Sequence, residues 1–263
     1  MDEKCVVDVR ILLDSRCAVE SHTYRPLRAK GDPMEFFATC PAGFETLLAS
    51  ELGALGIQKT RPLKGQVAFW GEVPDAYRAC MWSRLASRIV VVLGRIDATN
   101  TDTLYEGMSA IEWEKHITRG ATIAIDAHGT NDNLKNTHFT ELRSKDALVD
   151  RLRHVRGERP NVDARKPDIT VSVRVGRDSA SVGIDLSGEP LFRRLQSLPR
   201  DKRTLPPLRP DYAAAILSAG AWYRTCRHDS PTLVVAFSGT GTLAAEAAGM
   251  ALDRAPGLMR ARW

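Results

Sequence analysis

No run of about 18 apolar residues occurs in this chain of 263, so the sequence offers no helix able to cross a bilayer. Its opening, MDEKCVVDVRILLDSRCAVE, places acidic residues where a secretory signal needs basic ones, and its apolar runs are short. Cysteine is sparse and odd in number: Cys5, Cys17, Cys40, Cys80 and Cys226 lie far apart, with no CxxC pair and no close histidine. That scatter argues against a disulfide framework and against a zinc site, and it points to a reducing cytoplasm. The histidines make no metal constellation, and His116, His128, His138 and His154 read as surface or helix-end residues, not catalytic bases. A GK[ST] phosphate loop, a GxSxG elbow and a serine–histidine–carboxylate set are all missing, so no catalytic residue is assigned. Aromatics are only 6% of the chain, and Trp70, Trp82 and Trp113 sit in apolar patterns that predict core positions over stacking platforms. Charge of one sign is in mild excess: 37 basic against 32 acidic residues give +5, which permits a nucleic-acid partner without requiring one.

What is present reads as α+β. Residues 1–33 are expected to be a leader of uncertain order, with Met34 an alternative start. From there, a short strand (Glu35–Thr39) precedes a helix marked by Phe44, Leu47, Leu48, Leu52 and Leu55 and stopped by Gly56. GQVAFWG is a strand, and VPDAYRACMWSRLASR is an amphipathic helix with Pro74 in its opening turn. The grammar then repeats: strand IVVVLGRI, helix TLYEGMSAIEWEKHI, strand ATIAIDAHG, and a long basic helix FTELRSKDALVDRLRHV. DITVSVRVG and SASVGIDLSG alternate as a hairpin around Arg177 and Asp178. After Gly188, five prolines between Pro190 and Pro210 and six basic residues predict a linker, followed by a short helix in DYAAAILSAGAWY.

Two stretches carry chemistry. On the long helix, Arg143, Lys145, Arg151, Arg153 and Arg156 lie together, with Lys135 and His138 ahead and Arg159, Arg165 and Lys166 behind. An apolar stripe of Leu142, Leu148, Val149, Leu152 and Val155 would turn several of those charges outward, where they can hold phosphates. The same pattern also fits a solvated helix laced by Glu141, Asp146 and Asp150. The second stretch is VVAFSGTGTLAAEAAGM. Val234–Phe237 predicts a central parallel strand, Gly239 and Gly241 a tight turn, and Thr242 the start of a helix whose amides face a ligand. A nucleotide or methyl-donor site also needs an acidic residue on the next strand, and none follows; Asp253 lies in the helix.

Several phrases together resemble the bacterial large-subunit ribosomal RNA guanine-N2 methyltransferase L family: FFATCPAGFETLLASELGALG from Phe36, MWSRLASRIVVVLG from Met81, LYEGMSAIEWEKHI from Leu104, and SKDALVDRLR from Ser144. The likeness continues in RPNVDARKPDITVSVRV from Arg159, SASVGIDLSGEPL from Ser179 and AAEAAGMALDRAPGLMRARW from Ala244, and covers 34–263. It implies a ferredoxin-like subdomain at 34–86, a THUMP RNA-binding domain at 87–187, a basic proline-rich linker and short helix at 188–231, and an incomplete fragment at 232–263. That fragment would be the first strand–turn–helix of a class I, Rossmann-like methyltransferase domain. The partner implied is structured RNA, from the large ribosomal subunit, contacted by Lys135, Arg143, Lys145, Arg151, Arg153, Arg165 and Lys166. The family's methyl donor is S-adenosylmethionine, for which Gly239, Gly241 and Thr242 would be a vestigial loop.

The departures bear on catalysis. The family's Asp-Pro-Phe-Cys-Gly-Ser-Gly-Thr-like run is VAFSGTGT here, with Val235 for the acid, Ala236 for proline and Ser238 for cysteine. A Pro-Leu-Lys-Glu-like turn becomes PPLRPDY, with Arg209 and Pro210 near the lysine and glutamate, and the Asn-Pro-Pro-Tyr motif is missing. The expectation is the front part of a longer enzyme, truncated or decayed: an RNA-binding module that binds no cofactor well and does not turn over. The alternatives are an enzyme completed by a partner chain covering 232–263, and a structural or protein-binding remnant.

Overall fold

The structure, a computed structural model, describes residues 24–26, 33–194, 208–237 and 239–260. Most of the expected leader and the middle of the expected linker lie outside the described residues. In chain order the elements are β1 (Tyr24–Pro26), β2 (Met34–Thr39), α1 (Glu45–Ala54), β3 (Thr60–Leu63), β4 (Gln66–Gly71), α2 (Val73–Trp82), β5 (Arg88–Asp97) and α3 (Thr101–Ala110). There follow β6 (Thr122–His128), α4 (Thr137–Arg156), β7 (Asn161–Val162), β8 (Ile169–Val175), β9 (Ser179–Asp185), α5 (Pro210–Ala219), α6 (Trp222–Thr225) and α7 (Thr242–Ala251). They form two compact units: one holds 91–185 with β1 and Met34, the other holds 35–90 and the described residues from 186 onward.

In the unit holding 91–185, strands run in the order β5-β9-β8-β6-β7, and β1 pairs antiparallel with β5, Tyr24 opposite Ile96. A piece of the expected leader is thus sheet. β8 and β9 are antiparallel with Val173 opposite Val182, while β6 and β8 are parallel with Ile125 opposite Val171. Alternation along β8 buries Ile169, Val171, Val173 and Val175 and leaves Thr170, Ser172 and Arg174 half-buried, as a strand with one wet face requires. Helix α3 is capped by Asn100, whose Oδ1 accepts the amides of Asp102 (2.8 Å) and Thr103 (3.0 Å). Gly129, at φ +84°, is obligatory, since a Cβ there would overlap the Val175 carbonyl.

In the other unit, β2 and β3 flank β4, with α1 and α2 connecting the strands. Phe36 and Phe69 are fully buried and stacked, with ring centroids 5.0 Å apart. The carboxylate of Glu51 accepts hydrogen bonds from Ser83 Oγ (2.5 Å) and from the amides of Arg84 (2.9 Å) and Leu85 (3.4 Å). Burial still raises its pKa above the usual carboxylate range, with those bonds opposing. The chain returns to this unit through Leu186, whose amide donates to Ile89 O (2.8 Å), and Leu191, whose amide donates to Ser87 O (2.8 Å).

The C-terminal helices pack on one another and on the rest of their unit. Leu217, Trp222, Cys226 and Ala247 form a small core with Leu243 and Met250, and Trp222 Nε1 donates to Ala247 O at 2.9 Å. Glu246 accepts from Arg84 (3.0 Å) and Arg194 (2.9 Å), with all three side chains at most 12% exposed. The expected strand at Val234–Phe237 does not form: Val234 is 86% and Phe237 95% exposed, and no described strand pairs with this stretch. A central parallel strand needs neighbours along both edges, and among the described residues this stretch has none. The tryptophans divide as well. Trp113 is core, Trp70 is half-buried, and Trp82 is 37% exposed.

Candidate nucleic-acid interface

Helix α4 is the scaffold of the basic surface. Asn136 Oδ1 accepts the amides of His138 (3.0 Å) and Phe139 (3.3 Å) at its start, and Gly157, at φ +72°, closes it by donating to Arg153 O (2.9 Å). Twenty residues make it about 30 Å long. Its inward face is Thr140, Ser144, Ala147, Leu148 and Leu152, whereas Leu142 and Val155, assigned to the apolar stripe, are 42% and 50% exposed.

The basic residues in the middle of the helix are engaged. Arg143 meets Asp102 at 3.2 Å and stacks over the Tyr105 ring, 4.2 Å from its centroid. Tyr105 in turn donates its hydroxyl to Asp150 (2.7 Å), and that bond raises the phenol pKa above its ordinary value. Lys145 lies 3.0 Å from Asp146. Arg151 was expected to be exposed to RNA, and it is not. It grips Glu114 with Nε (2.9 Å) and Nη2 (2.6 Å) and donates Nη1 to Ser109 O (2.9 Å), with 22% of its side chain exposed. Arg156 donates to the backbone carbonyl of the same Glu114. Burial of the Glu114 carboxylate opposes its charge, yet the Arg151 bonds and nearby guanidinium groups hold its pKa below the usual range. Arg151 is therefore a staple between α4 and the turn at Trp113–Lys115, and its charge is spent inside the unit.

Toward the C-terminal end of α4 and beyond it the picture changes. Arg153, Arg159, Arg165 and Lys166 are exposed, and among the described residues no ion pair ties them to a carboxylate. Asp163 Oδ1 accepts the amides of Arg165 (2.8 Å) and Lys166 (3.1 Å), which fixes their loop and holds the Asp163 carboxyl below its ordinary pKa. Two clefts open at this end. One, about 310 Å³, includes Tyr105, Arg143, Arg153 and Arg159; the other, about 250 Å³, includes Arg119, Arg156 and Arg159. Arg159 lines both and was not among the assigned RNA contacts, although its place just after the helix-ending glycine signalled it. Lys135, exposed, precedes Asn136 at the opposite end of α4.

Gly239 (φ +50°) and Gly241 (φ +77°) keep left-handed backbone with open space beside each Cα, and Gly241 caps α7. Thr242 is buried, with its Oγ1 3.0 Å from that of Thr240. What would hold S-adenosylmethionine beyond that turn is missing: Val235 occupies the acidic position, and the residues before the turn form no strand. The residues present do not fit the donor. No group of three or more histidine, cysteine or acidic residues able to hold a metal occurs among the described residues.

Comparison with known proteins follows this division. The RlmL ferredoxin-like domain family matches residues 35–90, and the THUMP domain family matches 98–185. The chain is 41% identical over 231 residues to the ribosomal RNA large subunit methyltransferase K/L of Syntrophotalea carbinolica, covering 88% of this chain and 32% of that protein. Over 232 residues it is 40% identical to the protein of the same name from Ectopseudomonas mendocina, covering 88% of this chain and 31% of that protein. It thus spans about a third of the length of these relatives. Among solved structures, SMU.472, a candidate methyltransferase complexed with SAH, superposes with TM-score 0.69 at 26% identity, covering 88% of this chain and 59% of that one. TrmN from Thermus thermophilus superposes with TM-score 0.59 at 24% identity, covering 83% and 62% of the two chains, and shares the fold. The chain is α+β: a ferredoxin-like subdomain, a THUMP domain and a C-terminal region that matches methyltransferase folds.

Proposed function

We propose, because the chain belongs to the ribosomal RNA large subunit methyltransferase K/L family as its ferredoxin-like and THUMP region, that it binds structured RNA of the large ribosomal subunit in the cytoplasm. The observation that carries this reading is the exposed set of Arg153 and Arg159 around the C-terminal end of α4, with Arg165 and Lys166 in the loop after β7. Lys135, exposed just before α4, adds charge, while Arg143 and Lys145 lie beside Asp102 and Asp146 and Arg151 holds the helix in place. Phosphate contact dominates such a surface, so affinity falls steeply with salt and follows RNA shape more than base identity. As this chain alone, the protein does not transfer methyl groups, a reading supported by the Val235 loop and the unformed strand before it.

The test is a salt titration of binding to a large-subunit RNA fragment, with Arg153→Glu combined with Lys166→Glu as the variant. Wild type should bind at about 50 mM salt, and the variant should lose at least about tenfold and show a shallower slope. Equal affinity of both proteins would move the surface elsewhere, and no binding by wild type would refute RNA binding. Calorimetry giving micromolar affinity for S-adenosylmethionine would overturn the non-catalytic reading.

A second reading has one observation in its favour. The exposed apolar stretch Leu233–Phe237 would be covered if a partner chain supplied the missing strands beside residues 232–263. Methyl transfer to RNA by a mixture with such a chain, and not by either alone, would establish it.

A further inference from the structure

We infer that the β3–β4 hairpin is a separate RNA contact, in which an unpaired nucleobase stacks on Trp70 while Lys59 and Arg61 meet the phosphates beside it. This rests on the RNA-binding reading above and adds to it a place, a strand state and a mode of contact.

The sequence isolates the hairpin electrostatically. Between Glu51 and Glu72 the chain has no carboxylate, yet it carries Lys59, Arg61 and Lys64. The register then gathers its functional groups. Thr60 lies opposite Phe69 and Arg61 opposite Ala68, and the amide of Trp70 donates to Lys59 O at 3.1 Å. Because side chains alternate along a strand, Lys59, Arg61 and Trp70 share one face, while Phe69 points the other way and stacks on Phe36 in the core. The Lys59 ammonium is 5.1 Å from the Trp70 ring centroid, and the Arg61 guanidinium is 5.7 Å from it. Both of those residues are exposed and Trp70 is half-buried.

That geometry says what the ring is open to. A flexible, exposed side chain can lie over an aromatic face only where the core has not covered it. Trp70, half-buried, therefore keeps π-surface within reach of solvent beside two cations carried on exposed side chains. When a base takes that face, a cation leaves it for an adjoining phosphate, so a cation–π contact is exchanged for a stack and an ion pair. Every base has a π-face, so no base identity is selected. A duplex hides its base faces, so the site takes unpaired nucleotides.

The experiment uses the full chain and three RNAs at one salt concentration: a blunt hairpin, the same hairpin with an unpaired extension of about six nucleotides, and that extension with its bases removed. Wild type should bind the base-bearing extension about tenfold more tightly than the base-free one, because a base–aromatic stack is worth that much. Trp70→Leu should abolish that preference and leave affinity for the blunt hairpin unchanged. Lys59→Gln with Arg61→Gln, both at exposed positions, should reduce affinity for either extension, and its unfolding midpoint should match wild type. Equal binding of base-bearing and base-free extensions by wild type, with the hairpin still bound, would overturn this proposal and leave RNA binding standing. Full preference retained by Trp70→Leu would also overturn it. Failure of wild type to bind any of the three would overturn both.

Discussion

Arginine does opposite work in the two units. In the unit holding 35–90 and 186–263, Arg84 and Arg194 are drawn inside around Glu246, with Arg194 only 1% exposed. In the unit holding 91–185, Arg153 near the end of α4 and Arg165 in the loop after β7 are exposed, and no ion pair ties either to a carboxylate among the described residues. A buried guanidinium must be matched by charge and hydrogen bonds, since desolvating it unpaired is prohibitive. Exposed guanidinium groups have no such requirement and are available to another molecule. The comparison teaches that a count of basic residues says little about a nucleic-acid surface until each has been followed to its partner. Arg151 makes the point within α4, two positions from Arg153 and committed to Glu114.

The largest effect should come from the buried side. Glu246→Ala removes the carboxylate that Arg194 and Arg84 share, and should cost about 3–5 kcal/mol in denaturant unfolding. Exposed Arg165→Ala should stay within about 0.5 kcal/mol of wild type. Similar losses for the two would erase the distinction.

Next is a buried ionisable group in the other unit. Burial lowers the His116 pKa from 6.5 to about 4, with Glu112 and Glu114 pushing upward, and Nδ1 has no hydrogen-bond partner among the described residues. The unfolded chain takes up a proton near pH 6.5 that the folded chain refuses until about pH 4. Its contribution is therefore complete above pH 6.5 and is lost as pH falls toward 4, a change on the order of 3 kcal/mol. His116→Leu should flatten that part of the stability–pH curve, as read from urea midpoints at several pH values. An unchanged slope would place the titration elsewhere.

The smallest effects sharpen the comparison most. Arg151→Gln should lower stability by about 2 kcal/mol through the lost bonds to Glu114. Arg153→Gln should leave stability within about 0.5 kcal/mol while weakening RNA binding severalfold. The two readouts, unfolding and affinity, should move in opposite residues.

Much of this was legible in the sequence because it is local. The alternation of β8, the hairpin turn around Arg177 and Asp178 and the strands GQVAFWG and ATIAIDAHG each follow from a few neighbouring residues. What could not be read depends on distance along the chain. Glu114 is 37 positions from Arg151, and Glu246 is 162 from Arg84. Trp70 looked like core because its apolar neighbours are, yet a strand that buries Phe69 on one face turns the next residue to the other. The Val234–Phe237 run has the composition of a buried strand, but composition cannot supply the flanking strands that would bury it.

The return of the chain through Leu186 has a consequence for how the molecule assembles. The unit it rejoins is interrupted between Val90 and Leu186, so nearly a hundred residues leave and come back before that unit is complete. In a flexible chain, bringing the ends of such a loop together opposes folding by on the order of 4 kcal/mol. Once the intervening residues have folded, their two ends are held by a rigid body, and that entropy has already been surrendered. The Leu186–Ile89 hydrogen bond then closes between partners that are neighbours before they meet. If the insert folds first, a lesion that slows folding of 91–185 should delay completion of the unit that holds Arg84, Arg194 and Glu246, a delay that refolding kinetics of such a variant would read.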